Sequence, residues 1–336
     1  MPSTPNLLFI FPDQLAARWT SIEHHPAART PNLQALANHS HVFSCCCTSS
    51  PLCTPFRGAL LTGRYPTQTG IRENGQALPV GFDTLAHQLE AGGHHTIYLG
   101  KWHLSGDPQC NRWVPPEARG GFRTFIGWES HHVDHWDGNI WADDPDTSLP
   151  MPGHETDALT DIALGRLAAL QQSQAPFAMF VSYQAPHPPC SPPDAFRCRA
   201  PAEELFADPA ADRDAWYDMP GWNASYSVEE FRRRYVGEIA HLDVAVGRLL
   251  ACLDSSSLGQ RTIVVFTSDH GEMAGCHGLF SKHVMYDESL RVPLLIRMPG
   301  QDRRIDVTQP FATVDFRPTL LDLLGGGVDR PTPFAA

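Results

Sequence analysis

The chain has 336 residues, 42% of them hydrophobic, with a formal charge of −12 and a sequence pI of about 5.7. That length allows one large α/β domain or two smaller ones, and the acidic balance excludes a general nucleic-acid or anionic-membrane surface, which needs a basic face. No apolar run approaches a membrane span, no basic signal-like segment opens the chain, and nine cysteines, with Cys45-Cys46-Cys47 adjacent, do not suit a disulfide framework, so a reducing cytoplasm is the expected compartment.

Leu7 to Phe11 is a short, fully apolar run that stops at Pro12-Asp13-Gln14, as a buried parallel strand would. Thr30-Pro31 opens a helical pattern, with Thr as cap and Pro in the first position. His41 to Cys47 reads as a strand. Cys53-Thr54-Pro55-Phe56-Arg57 comes next. Pro55 suits the first turn of a helix, which puts Cys53 near the positive end of the helix dipole with Arg57 one turn on. Both favour a thiolate or an oxyanion there; the plain alternative is a buried packing cysteine. Thr84 to Ala91 predicts a helix closed by Gly92-Gly93, and His95 to Leu99 a strand. Thr156 to Leu170 predicts a helix, and Phe177 to Tyr183 a strand. Pro186 to Trp222 is proline-rich without clear periodicity and is expected to form a long rim loop. Ser227 and Glu230 make a capping box for a helix carrying Phe231, Tyr235, Ile239, Leu242, Val246, Leu249 and Leu253 on one face. Thr262 to Thr267 and Val292 to Met298 read as strands, and Thr313 to Leu324 as a final helix. The alternation implies an α/β fold with a mostly parallel central sheet sandwiched by helices.

The chemistry sits at the strand ends. Asp13-Gln14, Lys101 with His103, His187, and Ser268-Asp269-His270-Gly271-Glu272 each lie just past a predicted strand. In open α/β sheets ligands bind beyond the carboxyl ends of the strands. Singly, Asp13 could cap a helix, Lys101 could be solvated and His187 could be a loop histidine. Four strand ends delivering such residues to one edge describe a pocket. Asp13, Gln14, Asp269 and His270 offer hard oxygens and one imidazole, which suits one divalent cation such as Ca²⁺ or, alternatively, Mn²⁺.

These segments together resemble the type I formylglycine-dependent sulfatases of the alkaline phosphatase superfamily. Cys53-x-Pro55-x-Arg57 is similar to that family's activation motif, Asn6 to Gln14 to its first strand and metal site, and Gly100-Lys101-Trp102-His103 to its Gly-Lys-Trp-His element. Ser268 to Glu272, with Lys282 and Tyr286 to Leu294, is similar to its second metal motif. The resemblance runs from about Pro5 to Gly325. It implies an alkaline phosphatase-like fold and oxidation of Cys53 to formylglycine by a maturation enzyme, whose hydrated aldehyde is the nucleophile. It further implies that Asp13, Gln14, Asp269 and His270 bind metal together with the modified Cys53, and that Arg57 orients that residue. Lys101 and Lys282 would hold sulfate oxygens, His187 would protonate the leaving alcohol, and His103 would take a proton as the sulfated intermediate collapses. Asn74 would lie near the metal or the sulfate.

Several positions depart from the pattern. Gln14 and His270 stand where many members have Asp and Asn, and look more like the choline sulfatase and phosphonate monoester hydrolase subgroup. Phe56 occupies a position that is usually small, and Cys276 one that is often acidic. Residues 1–325 match the catalytic domain and 326–336 a short tail, so the family's smaller C-terminal subdomain is expected to be missing or reduced. The implied substrate is a small-molecule sulfate ester, with no nucleic acid or membrane partner; the alternatives are a phosphonate monoester or phosphodiester hydrolase with the same nucleophile, and a non-catalytic relative. His131, His132, Asp134 and His135 are expected in a polar loop lining the pocket entrance, His24 and His25 on the surface, and Trp128 and Trp136 either in packing or against a substrate.

Overall fold

The computed structural model describes residues 4–106, 113–130, 135–173, 175–219 and 224–325. Its centre is a ten-stranded sheet. The strand order is Ile305–Val307, His41–Phe43, Leu295–Arg297, Thr262–Phe266, Asn6–Asp13, Phe177–Pro186, His95–Lys101, Thr124–Trp128, Trp136–Trp141 and Ser148–His154. The five strands from Thr262–Phe266 to Thr124–Trp128 are mutually parallel. Antiparallel pairs flank them on both sides. The middle strand, Asn6–Asp13, pairs Phe9 with Val265 on one side and Phe180 on the other, and every residue of it is buried. A strand buried on both faces needs no polar alternation, which explains the unbroken apolar run.

The pleat divides that run between two cores. Leu7, Phe9 and Phe11 meet Phe56, Leu60, Leu85, Leu89, Phe316 and Leu320 on one face. Leu8 and Ile10 share the other core with Leu33, Leu159, Leu167, Tyr235, Leu242 and Leu249. Helices therefore cover both faces, as the sequence implies. The helix predicted after the capping box spans Val228–Asp254, and the Ser227 hydroxyl accepts from the Glu230 amide at 3.3 Å.

Differences from the sequence reading fall at the margins. The expected strand from His41 to Cys47 is two pieces, His41–Phe43 and Cys46–Cys47. Val292 to Met298 contributes only Leu295–Arg297 to the sheet, and the last helix is Phe316–Leu323 after a single tight turn at Thr313–Asp315. Strands Thr124–Trp128, Trp136–Trp141 and Ser148–His154 extend the sheet where the sequence has mixed, Gly- and Pro-containing segments. The rim segment is mostly irregular, with short helical turns at Asp194–Phe196 and Ala202–Leu205 and a strand at Trp216–Met219. None of the described helices is long and apolar enough to cross a membrane.

Candidate active site at the carboxyl edge of the sheet

The parallel strands all end at one edge, so the side chains just past them converge. Asp13 closes the middle strand, Lys101 ends the next but one, His187 follows the strand between them, and Asp269 and His270 follow Thr262–Phe266. Gly100 makes the Lys101 strand possible. Its φ is +101°, and a Cβ there would sit 2.1 Å from the Ser182 carbonyl oxygen, so no side chain fits.

Cys53 is the first residue of helix Cys53–Thr62, which ends on Gly63 in the left-handed conformation. Leu52 offers no capping side chain; the Asn74 side-chain Oδ1 accepts from the Thr54 amide at 3.0 Å and serves the helix start from another segment. The buried Cys53 sulfur lies 3.3 Å from His270 Nε2, 3.6 Å from Asp13 Oδ1 and 3.9 Å from Lys101 Nζ. Burial and the Asp13 carboxylate push the thiol up, but Lys101, Lys282 and His270 outweigh them and bring it from 9.0 to about 6. The position favours negative charge even though the chain as a whole is acidic.

The carboxylates beside it are fully buried. Asp13 is ion-paired with Lys101 and lies 3.7 Å from Arg57 Nη2 and from His270 Nε2. Burial opposes its ionisation, yet Lys101, His187, His270 and Lys282 hold it well below the usual carboxylate range. Asp269 Oδ1 accepts from the Gln14 amide at 2.9 Å and the His270 amide at 2.8 Å. Its Oδ2 has no hydrogen-bond partner, and burial followed by repulsion from Asp13 raises it to about 7. The Asp13, Cys53, Asp269 and His270 ligand atoms all lie within 4.8 Å of one another. An orphaned carboxylate oxygen beside a second carboxylate is the signature of a missing positive charge, and hard oxygens with one imidazole fit a divalent cation. Gln14 is already engaged: its amide nitrogen donates to Glu272, and its amide oxygen accepts from Lys282 Nζ.

Arg57 braces the group from beneath. One of its nitrogens, Nη1, donates to Tyr98 Oη at 2.9 Å, Ser182 Oγ at 2.8 Å and the Lys101 carbonyl, and its guanidinium lies over the Phe11 ring. Phe56, at the usually small position, is fully buried 6.1 Å from Phe11 in the same core. Lys101 loses its water to burial, but Asp13 and Cys53 more than compensate and raise its pKa. Burial, then Lys101 and Arg57, hold His103 well below its ordinary value, so it is a neutral imidazole. His187 Nδ1 faces the Pro188 carbonyl at 2.6 Å, and the Lys282 side chain is buried.

Two of these residues adopt left-handed backbone without being glycine: Gln14 at φ 73° and His103 at φ 59°. Such strain persists only where the surroundings over-determine it. The Gln14 carbonyl accepts from Tyr235 Oη at 2.6 Å. The His103 amide donates to the Glu129 carbonyl, and the His103 carbonyl accepts from Thr54 Oγ1 at 3.0 Å. Tyr235, Glu129 and Glu272 are therefore supports that sequence reasoning did not single out. Glu272 had a signal, since it closes the Ser268 to Glu272 segment past a predicted strand; it accepts from the Ala274 and Ser281 amides at 2.8 and 2.6 Å as well as from Gln14.

The remaining conspicuous residues divide. His135 is not an entrance-loop residue: it is buried, because its ring pairs with the Glu155 carboxylate. His131, His132 and Asp134 lie outside the described residues. Trp128 is fully buried, whereas Trp136 is part exposed and donates to the Ser191 carbonyl at 2.9 Å. His24 is exposed, and His25 packs on Trp19 with ring centroids 4.2 Å apart. Cys276 is buried with its sulfur 2.7 Å from Asp208.

Comparison with known proteins reaches the same place. A sulfatase family model matches residues 5–326. The ulvan-active sulfatase of Formosa agariphila is 34% identical over 328 residues, 96% of this chain and 62% of that protein. The choline-sulfatase of Rhizobium meliloti is 29% identical over 98% of this chain and 69% of its own length. The solved structure of yidJ from Bacteroides fragilis superposes with a TM-score of 0.88 at 27% identity, covering 98% of this chain and 76% of that one. The chain thus spans about two thirds of the length of the curated relatives it matches.

Proposed function

This chain belongs to the sulfatase family, and we propose that it hydrolyses the sulfate monoester of a small organic molecule with a nucleophile generated at Cys53. The observation that carries the reading is the seat of Cys53: first in its helix, buried, and within 3.9 Å of His270, Asp13 and Lys101. In this reading a maturation enzyme oxidises Cys53 to formylglycine, and the hydrated aldehyde presents an oxygen nucleophile. Asp13, Asp269, His270 and the modified side chain would hold a divalent ion, Ca²⁺ from the hard-oxygen set or alternatively Mn²⁺, with Gln14 joining them by exchanging its Lys282 contact for the ion, which would supply Lewis-acid charge for that oxygen and the sulfate.

The side chains do the rest. Lys101 and Lys282 engage sulfate oxygens, with Asn74 beside them, and Arg57 fixes the nucleophile through its hold on the Lys101 carbonyl. The hydrate attacks as its alkoxide, having released one proton to solvent; its oxygen bonds to sulfur as the ester S–O bond breaks, and His187 gives the departing alcohol a proton. His103, held neutral by its cationic neighbours, then takes the proton of the remaining hydroxyl; the aldehyde re-forms and sulfate leaves. Water restores the hydrate. Residues 1–325 form the catalytic unit in this reading, with a reducing compartment such as the cytoplasm as its proposed location.

Two measurements test it. A mass spectrum of the peptide containing Cys53, from enzyme made beside a maturation enzyme, is expected to show the aldehyde in place of the thiol; fully active protein with an intact thiol ends the mechanism. Matched aryl sulfate, phosphonate and phosphodiester substrates are expected to give the highest kcat/KM for the sulfate, because two lysines suit a monoester with three terminal oxygens. Faster phosphorus substrates would make the enzyme a phosphonate monoester or phosphodiester hydrolase instead.

A further inference from the structure

Away from the catalytic edge, three buried residues that can each offer a metal ligand lie together. One ligand atom from each of His154, Glu238 and His241 lies within 4.8 Å of the other two, and His154 Nε2, Glu238 Oε2 and His241 Nδ1 each lack a hydrogen bond. Their side chains are at most 1% exposed. His154 immediately precedes helix Glu155–Leu170, and Glu238 and His241 lie on one face of helix Val228–Asp254 at a spacing of three. The opposite atom of each long-helix residue is committed elsewhere. Glu238 Oε1 accepts from the Ser191 amide at 2.7 Å, and His241 Nε2 donates to Asp157 Oδ2 at 2.9 Å. The second contact fixes the tautomer: the proton faces the carboxylate, and Nδ1 keeps a lone pair free to bind a cation.

Charge points the same way. Glu155 and Glu238 are buried carboxylates. The ring nitrogens of the buried His135 face Glu155 Oε1 at 2.5 Å and the His187 carbonyl at 2.8 Å. Both partners are acceptors, so both nitrogens carry protons and His135 balances one carboxylate. Glu238 is left with the His154 ring, whose Nε2 stands 3.4 Å from Oε2, as its nearest counter-group, and His154 carries a full positive charge only when doubly protonated. The comparable group at Asp208, Cys276 and Glu288 is served by a permanent cation instead, because Arg18 pairs with both of its carboxylates.

We propose that His154, Glu238 and His241 form a second metal site, for zinc or another first-row divalent ion with a preference for imidazole. Two imidazoles and one carboxylate suit such ions and not Ca²⁺. His154 Nε2 and Glu238 Oε2 already stand 3.4 Å apart, a fitting separation for two donors each about 2.0–2.1 Å from one ion. Binding at Nε2 moves the His154 proton to Nδ1 and gives up the long 3.3 Å contact from the Thr156 amide. The ion joins the start of one helix to the middle of another and, through Glu238 and Ser191, braces the segment that follows His187. The site does not depend on the sulfatase reading.

The test is metal analysis of the full chain produced with zinc and dialysed into calcium buffer, with Co²⁺ as a spectroscopic probe. The expected result is about one zinc per chain and Co²⁺ absorption bands of a nitrogen-ligated site. Asp269→Ala, which disables the catalytic edge, keeps that zinc. Glu238→Gln, which preserves shape, and His241→Ala lose it, with Co²⁺ affinity down at least about tenfold. Should His241→Ala fail to fold, Glu238→Gln decides alone. Zinc-free unsubstituted chain, zinc retained in Glu238→Gln, or zinc lost only in Asp269→Ala overturns the site.

Discussion

Asp13 and Asp269 end neighbouring parallel strands and are fixed by one another's counter-charges: Lys101, Arg57 and His270 all lie within 4 Å of one or both. His187 sits instead on irregular chain held from behind by separate anchors. His135 takes its carbonyl, Glu238 the Ser191 amide, Trp136 the Ser191 carbonyl and Arg234 the Cys190 carbonyl. In the floor, each charge is stable only because the others are present, so removing one leaves uncompensated buried charge. In the wall, several independent hydrogen bonds share the task, and each contributes modestly. Changes to the floor should therefore act on chemistry and metal together, while changes to the wall should act in smaller, separable steps.

The largest expected effect is at the floor. Cys53→Ala removes the nucleophile and nothing nearby replaces it, so kcat falls at least about 10⁴-fold while the melting temperature stays close to that of the parent. A residual rate within tenfold of the parent would break the assignment. Asp269→Ala comes next. It deletes the oxygen that lacks a partner, and metal content and activity are expected to fall together; full activity in rigorously metal-free enzyme would separate them. At the wall, His187→Ala should cost about 10²–10⁴-fold on esters with poor leaving alcohols and far less on activated aryl esters, the mark of a lost general acid. Equal losses on both would make His187 a structural part of the wall.

The floor was legible in the sequence because strand-end chemistry is local: an apolar run followed by Asp, Lys or Asp-His places the side chain once the strand is known. Cys53 with Pro55 and Arg57 likewise located a helix start. The supports were not legible. Tyr235 reads as one more apolar position on the long helix, yet its hydroxyl holds Gln14 across 221 positions of chain. Glu129 reaches His103 through its backbone carbonyl, which no side-chain pattern reports. His135 was misplaced for a related reason. Its neighbours in sequence are polar, and its burial follows from a carboxylate twenty residues on that begins a helix. The outer strands Trp136–Trp141 and Ser148–His154 escaped because their burial pattern is broken, with exposed positions interrupting any alternation.

His135 also gives the smallest of the expected effects, and one that separates charge from packing. Burial opposes its ionisation, but Glu155 and Glu238 and the bonds to Glu155 and the His187 carbonyl prevail, raising it from 6.5 to about 9. Its folded pKa lies above the unfolded one, so between those values the folded chain binds more protons and stability falls as pH rises. The contribution is complete below pH 6.5, declines across the window and is gone above pH 9; its full size is on the order of 3 kcal/mol. His135→Gln keeps a donor for the His187 carbonyl but removes the charge. Urea unfolding of both proteins across that window is therefore expected to show a difference that is largest at the acidic end and vanishes at the alkaline end. A difference that stays constant with pH would mean that His135 braces the wall by shape alone, and that the buried carboxylates behind His187 find their counter-charge elsewhere.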